Sequence, residues 1–270
     1  MSMNRSAAGF AHGITVGSGL AGAVTSRLCR QLRAQADRQG VLDQPLPMWK
    51  RAMDLGIIFL LSPALLVIFA ALAAYIKLVS SGPVFFTQER IGLRGRAFRC
   101  FKFRTMHADN DVGVHMNHLA ELINSNRPMK KLDAADKRII PLGAILRSSG
   151  LDELPQLINV LRGEMSVIGP RPCTRYEYDL YEPWQKQRFT AVPGLTGLWQ
   201  VSGKNRTTFN EMVCLDIRYA DNLSLRQDLR ILAKTLPTLL GQVREHLRNR
   251  RPKVETVSWN AGAAPAAQSV

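Results

Sequence analysis

The sequence predicts an α/β fold, mostly helical with short strands. A re-entrant membrane helix joins a small cytoplasmic domain that carries amphipathic surface helices. Three observations predict this. Leu55 to Ile76 runs 22 residues without a charge. Ser62-Pro63 interrupts that run, and basic residues flank it on both sides (Lys50 and Arg51 before, Lys77 and Arg90 after). About 190 residues follow, enough for one compact domain with its own core.

The apolar segment comes first in the argument. At 1.5 Å per residue it reaches roughly 33 Å, about the thickness of a bilayer core. Lys and Arg favour the cytoplasmic side, so positive flanks at both ends suit a simple span poorly. Pro63 deletes a helical hydrogen bond and clashes with the preceding turn. A helix broken at Ser62 and Pro63 can enter one leaflet and return to the same face. The predicted organisation is a poorly ordered arm over 1–47, the membrane-inserted segment over 48–80, the globular domain over 81–243, and a disordered basic, Ala-rich tail over 244–270. The apolar run begins too late for a secretory signal, and the first 50 residues show no cleavable apolar region.

The elements follow in order. Ser81-Gly82-Pro83 is a turn. Val84 to Thr87 is a short strand, and Gly92 to Arg96 a turn. Phe98 to Thr105 alternates as a strand. His115 to Asn124 reads as a helix. Leu154, Leu157, Ile158 and Leu161 carry the i, i+3, i+4, i+7 pattern of an amphipathic helix. Met165 to Ile168 is an apolar run closed by Gly169-Pro170-Arg171-Pro172. Long helices are predicted over Thr208–Asp221 and Leu225–Leu240. In the second, Leu225, Leu229, Leu232 and Leu236 are apolar while Arg226, Arg230 and Lys234 are basic. That pattern fits a membrane surface or an ordinary core-packing helix.

Composition narrows the partners. The net charge is +15. Such a basic chain points to nucleic acid, anionic lipid or phosphorylated substrates, and the membrane segment favours the last two. No nucleic-acid module, Walker loop or dinucleotide fingerprint is present, so no nucleic-acid partner is expected. The four cysteines are scattered, with no metal-ligand spacing and no disulfide framework, which fits a reducing compartment.

Asp152-Glu153 is the leading acidic pair. It precedes the helix expected from Leu154, where free N–H groups stabilise an anion. A plain N-cap with a first-turn acid explains the same spacing. Arg147 lies five residues upstream. Arg171 stands between two prolines, and a rigidly held guanidinium suits bidentate phosphate binding. Lys102 and Arg104 sit at i and i+2, so one strand face can present both to a diphosphate. A solvated strand face and a surface turn arginine are the bland readings. Asp109-Asn110-Asp111 has a metal-holding spacing used by nucleotide-sugar transferases. His115 and His118 lack a third ligand, which argues against zinc.

These stretches, taken together, resemble a known family. Lys50-Arg51 with Asp54, the Ser62-Pro63 pair, FFTQERIGLRGRAFRCFKFRTM (85–106), RSSGLDELPQLINVLRGEMSVIGPRP (147–172) and PGLTGLWQVSGKNR (193–206) are similar to the bacterial sugar transferases. These are monotopic polyprenyl-phosphate phosphoglycosyl transferases of the exopolysaccharide-initiating type. The resemblance implies transfer of a sugar 1-phosphate from a UDP-sugar, UDP-glucose or UDP-galactose foremost, to undecaprenyl phosphate. UMP is released, and Mg²⁺ is the implied cofactor. It implies Asp152 as the nucleophile that forms a phospho-sugar aspartate and Glu153 as its dyad partner, the two being the candidate magnesium ligands. Lys102, Arg104, Arg147 and Arg171 are the candidate phosphate- and substrate-binding residues. It makes 81–243 the catalytic domain and Ser62-Pro63 the re-entrant break. The implied setting is the cytoplasmic face of the bacterial inner membrane, with membrane lipid as a partner and a homodimer left open. The chain has a short arm in place of several N-terminal spans, so it resembles the small catalytic-core members.

Two other readings stay open at this stage. One is a nucleotide-sugar glycosyltransferase that holds metal at Asp109 and Asp111 and releases UDP. The other is a basic membrane-bound scaffold without turnover.

Overall fold

In the computed structural model, residues 47–107, 121–123, 125, 128 and 138–249 are described. The apolar segment lies in one helix, α1, Met48–Val79, with Pro63 inside it. Its 32 residues measure about 48 Å along the axis if straight. By length and composition it can enter or cross a membrane, and its most apolar window is wholly unburied. Phe59, Leu60, Leu66 and Val67 are exposed.

Pro63 leaves the Phe59 carbonyl without its i+4 N–H donor. The Ser62 hydroxyl donates to that carbonyl at 2.8 Å. The adjacent serine therefore replaces the hydrogen bond that the proline removes, and the helix continues through the pair.

Both ends of α1 rest on the globular unit. Near the N-terminus, Lys50 Nζ donates to the Ile168 carbonyl, the Tyr219 hydroxyl and Asp228 Oδ2 at 2.7–2.9 Å. Asp54 Oδ1 accepts from the Ser166 hydroxyl and the Val167 N–H. Arg51 donates to the carbonyls of Val160 and Leu161. Near the C-terminus, Ile76, Phe69 and Leu72 pack with Phe103 and Ile140. The Tyr75 hydroxyl donates to the Pro141 carbonyl.

An antiparallel hairpin follows. Strands β1, Phe85–Ile91, and β2, Ala97–Phe103, pair with Phe86 opposite Lys102, Gln88 opposite Cys100 and Arg90 opposite Phe98. The tight connection turns through Arg94 at φ 55 and Gly95 at φ 74. Helix α2, Gly143–Ser149, ends at Gly150 in the left-handed region, φ 75.

The acidic pair lies in a 3-10 turn rather than at the start of the α-helix expected from Leu154. A 3-10 segment, Leu151–Gln156, holds Asp152 and Glu153, and helix α3, Leu157–Leu161, starts only after it. Pro155 has no N–H to return to Leu151, so the tighter turn persists.

Strand β3, Ser166–Ile168, runs parallel to β4, Gly194–Thr196. Here two backbones nearly touch. A Cβ on Gly194 would stand 2.0 Å from the Gly169 nitrogen, and one on Gly169 would stand 2.2 Å from the Val192 oxygen. Only glycine allows the IGPRP and PGLTG stretches to lie this close. Helix α4, Arg175–Leu180, and helix α5, Leu198–Val201, are short. Helix α6, Phe209–Asp221, begins with a capping box between Thr208 and Glu211.

Helix α7 spans Leu225–Asn249, six residues beyond the domain boundary expected at 243. Its buried face is Asp228 and Ile231, not the leucine stripe. Leu225, Leu229, Leu236 and Leu240 are exposed, and Leu232 only partly packs on the core. Three of the four leucines expected on this stripe therefore lie outside the core, while Leu232 packs on it. Cys100 and Cys173 are free and buried.

Candidate active site

The hairpin, the acidic turn and the two close-packed motifs converge on one small cleft. It is lined by Arg90, Lys102, Glu153, Gln156, Arg171 and Gln200, with Cys100, Pro172 and Gly194 between them. The register explains part of this. Arg90 on β1 and Cys100 and Lys102 on β2 share one sheet face. The close approach at Gly169 and Gly194 brings Arg171 to the same place.

Glu153 is the hub. Its Oε1 lies 2.8 Å from Lys102 Nζ and 3.5 Å from Arg171 Nη1. Asp152 beside it is buried, 7% exposed. Burial works against the Arg171 charge, but Glu153 and then Glu177 raise its pKa above the usual guanidinium value, with a contribution from Asp152. The arrangement sets a carboxylate next to fixed cations, which suits a reaction between two anions.

Asp152, Arg104 and Arg147 are not among the side chains that line the cleft. Arg104 does not join Lys102 at the cleft. It lies one residue past the end of β2, is 6% exposed, and donates to the Ser80 and Ser81 carbonyls just after α1. The strand ends before its alternation reaches Arg104, and a helix end leaves carbonyls that need donors. Arg147 sits half-buried in the last turn of α2 and is not among the cleft-lining side chains. Asp109-Asn110-Asp111, His115 and His118 lie outside the described residues. Of the helix expected over His115–Asn124, residues 121–123 are described and helical.

Gln156, Gln200 and Arg90 were not expected as site residues, although Gln200 and Gly194 belong to the PGLTGLWQ stretch. Arg90 had a usable signal: it alternates with Gln88, whose Oε1 accepts from Arg90 Nη2 at 2.7 Å. Gln200 Nε2 donates to the Leu195 carbonyl at 2.9 Å, a contact that no spacing rule announces.

A model of the bacterial sugar transferases matches residues 46–242, which takes in α1 and every residue of the cleft. The chain belongs to the bacterial sugar transferase family. It is an enzyme of the phosphoglycosyl transferase kind. It is 40% identical over 197 residues to the exopolysaccharide production protein ExoY of Sinorhizobium fredii, covering 70% of this chain and 84% of that one. It is 39% identical over 211 residues to a UDP-glucose:undecaprenyl-phosphate glucose-1-phosphate transferase of Caulobacter vibrioides, covering 73% of each. A third relative is an undecaprenyl-phosphate galactose phosphotransferase of Salmonella typhimurium. There the identity is 39% over 166 residues, 59% of this chain and 34% of that protein.

In this sugar transferase, no group of three or more His, Cys, Asp or Glu side chains that could hold a metal exists among the described residues. The described residues thus offer no all-protein cage. Asp152 and Glu153 fit the mode in which one or two carboxylates and substrate phosphates share Mg²⁺. Cys100 also faces the cleft. Burial pushes its thiol up, so it stays a neutral thiol near pH 7 rather than a competing nucleophile.

Proposed function

We propose that this protein transfers a hexose 1-phosphate from a UDP-hexose, glucose or galactose, to undecaprenyl phosphate. UMP is released, and the reaction is the first membrane step of exopolysaccharide or related glycan assembly. The observation that carries this reading is buried Asp152 beside Glu153, whose carboxylate meets Lys102 and Arg171 in one cleft. The names of the Caulobacter and Salmonella relatives support the donor and acceptor classes.

Two displacements follow. A carboxylate oxygen of Asp152 attacks the sugar-bearing phosphorus. The bond from that phosphorus to the bridging oxygen breaks, and UMP leaves with that oxygen. An oxygen of the lipid phosphate then attacks the same phosphorus, and the Asp152 carboxylate departs unchanged. Splitting one transfer in two is the usual use of a carboxylate nucleophile. Lys102, Arg171 and Arg90 offset the negative charge gathered at the diphosphate. Glu153 holds Lys102 and Arg171 in place. Mg²⁺, when bound by Asp152, Glu153 and the diphosphate, supplies further positive charge. Arg147, half-buried in the last turn of α2, adds positive charge close to the acidic turn.

The acceptor is a lipid, so the cleft works at a membrane face. Both ends of α1 contact the same globular unit, which supports a re-entrant segment with both ends at the cytoplasmic face of the inner membrane. The exposed leucines of α7, next to Arg226, Arg230 and Lys234, suit the headgroup boundary.

The test is nucleotide release by membrane fractions given undecaprenyl phosphate and a panel of UDP-sugars. UMP release with UDP-glucose or UDP-galactose is expected. Release of UDP in its place favours a glycosyltransferase, and no turnover on any donor overturns the reading.

A further inference from the structure

Arg188 is a fully enclosed cation set apart from the cleft. It lies on the 3-10 segment Gln185–Thr190 and is 1% exposed. Its Nη2 donates to Asp216 Oδ2 at 2.5 Å and to the Arg171 carbonyl at 2.8 Å. Its Nη1 donates to the Tyr181 hydroxyl at 2.8 Å. Asp216, on α6, is equally buried.

A buried ion pair is a poor source of stability. Well-packed apolar side chains of similar volume commonly serve as well. What they cannot supply is a donor for the Arg171 carbonyl. That carbonyl belongs to the Pro170-Arg171-Pro172 stretch, where both prolines lack an N–H. Around it the backbone is pinned at several points: the Gly169 N–H to the Thr196 carbonyl, the Gly194 N–H to the Pro170 carbonyl, and the Ile91 N–H to the Cys173 carbonyl. The carbonyl of Arg171 itself is held by Arg188.

We propose that Arg188, held by Asp216, is a positioning residue for Arg171. The pair fixes the peptide plane that follows Arg171 and so aims its guanidinium into the cleft, toward the diphosphate of the donor. This rests on the reading of the cleft as a UDP-sugar site and adds to it the device that orients its arginine.

The test compares four full-length, membrane-reconstituted proteins: wild type, Arg171→Ala, the pair Arg188→Met with Asp216→Leu, and all three changes together. UDP affinity is measured by calorimetry, and folding by thermal melting. The Met/Leu pair leaves no unpaired buried charge, so it should fold. It should weaken UDP binding about tenfold, the scale of one lost charge-assisted hydrogen bond's worth of alignment. In the Arg171→Ala background the same pair should change affinity by less than about twofold, because its effect runs through Arg171. A merely structural role would lower both backgrounds alike. Arg188→Lys is the second variant: it keeps the charge opposite Asp216 but loses the planar fork, and should also weaken binding. Equal losses in both backgrounds overturn the proposal. So does unchanged affinity in the Met/Leu pair or in Arg188→Lys, or a wild type that binds no UDP. A wild type that binds UDP but releases no UMP from any UDP-sugar defeats the proposed reaction alone, since the positioning is read from binding.

Discussion

Lys102 Nζ and Glu153 Oε1 lie 2.8 Å apart, tying the second strand of the hairpin to the turn that carries the acidic pair. Both side chains are about four-fifths covered, so the contact is partly shielded from solvent. Its weight is in aiming groups rather than in holding the fold, because a partly exposed pair contributes only about 0–1 kcal/mol.

Lys102→Met should therefore melt close to wild type yet lose activity. Removing one of the cleft's cations should lower kcat/KM for the UDP-sugar by about ten- to a hundredfold. Lys102→Arg should recover part of it. Steady-state UMP release and a melting curve check this together. Wild-type kinetics in Lys102→Met would make the pair a surface feature.

Gly194→Ala should act through the fold. Its Cβ would fall 2.0 Å from the Gly169 nitrogen, a distance no rotamer change relieves. The β3–β4 pair must part, so stability should fall by at least about 2–3 kcal/mol, the overpacking range. Denaturant unfolding measures this. Gly163→Ala, which meets nothing within 4 Å but sits at φ 79, should cost less, about 1 kcal/mol of backbone strain.

The local chemistry of this chain was legible where it depends on neighbours in sequence. The strand expected over Phe98 to Thr105 is β2 but for its last two residues, and the helix expected over Thr208–Asp221 is α6. Asp152-Glu153 and Pro170-Arg171-Pro172 stood out for the same reason. What stayed hidden depends on partners far along the chain. Lys50 meets Asp228 and Arg188 meets Asp216 only after folding, and periodicity says nothing about such pairs. Arg104 misled because its alternation with Lys102 ends with the strand, after which helix-end carbonyls claim it. The leucines of α7 gave a correct amphipathic helix but not the direction they face. That was decided by buried Asp228, a residue whose type points outward until its lysine is known.

The Ser62–Phe59 contact leads to a prediction about α1. Ser62→Ala removes the hydroxyl that donates to the Phe59 carbonyl, which Pro63 deprives of its helical N–H, at a cost of about 1–3 kcal/mol in apolar surroundings. Pro63→Ala restores a backbone N–H there, so Ser62→Ala should become nearly harmless in that background. Pro63→Ala alone should weaken activity by straightening the segment, or convert it to a span. Cysteine labelling at Gln44→Cys and Ser81→Cys reads the topology, with both sites expected on the cytoplasmic side. Labelling from opposite sides in the wild-type background would rule out the hairpin.

Asp216 supplies a pH dependence. Burial pushes its carboxyl up, against the pull of Arg188, from 3.8 to about 6. A raised carboxyl pKa means the folded state binds this proton more tightly than the unfolded chain. On this group alone, stability is greatest below about pH 4 and declines as pH rises to about 6. Ionic hold on Arg188 runs the other way, being present above about pH 6 and lost below it. KM for the UDP-sugar should then rise as pH falls through about 6, an inflection absent from the Arg188→Met, Asp216→Leu pair. The first half-reaction, without lipid, is the one to measure, because a phosphate monoester itself titrates near pH 6. A KM profile flat through pH 6 would remove Asp216 from the account.

The nucleophile is the sharpest prediction. Asp152 is buried, adjacent to Glu153 and within electrostatic reach of Arg171. Asp152→Asn keeps the shape but removes the negative oxygen, so turnover should fall to background. Asp152→Glu should fail as well, since one methylene moves the attacking oxygen by roughly an ångström, enough to spoil a near-attack geometry. Glu153→Gln should be severely impaired for a different reason, the release of Lys102 and Arg171. Wild-type protein given labelled UDP-sugar without lipid should release about one equivalent of UMP and retain one labelled phospho-sugar, as a two-step displacement requires. Adding undecaprenyl phosphate should then discharge the label into lipid. Peptide mass spectrometry should find the adduct on Asp152. Label on another residue, or turnover preserved in Asp152→Asn, would sink the assignment.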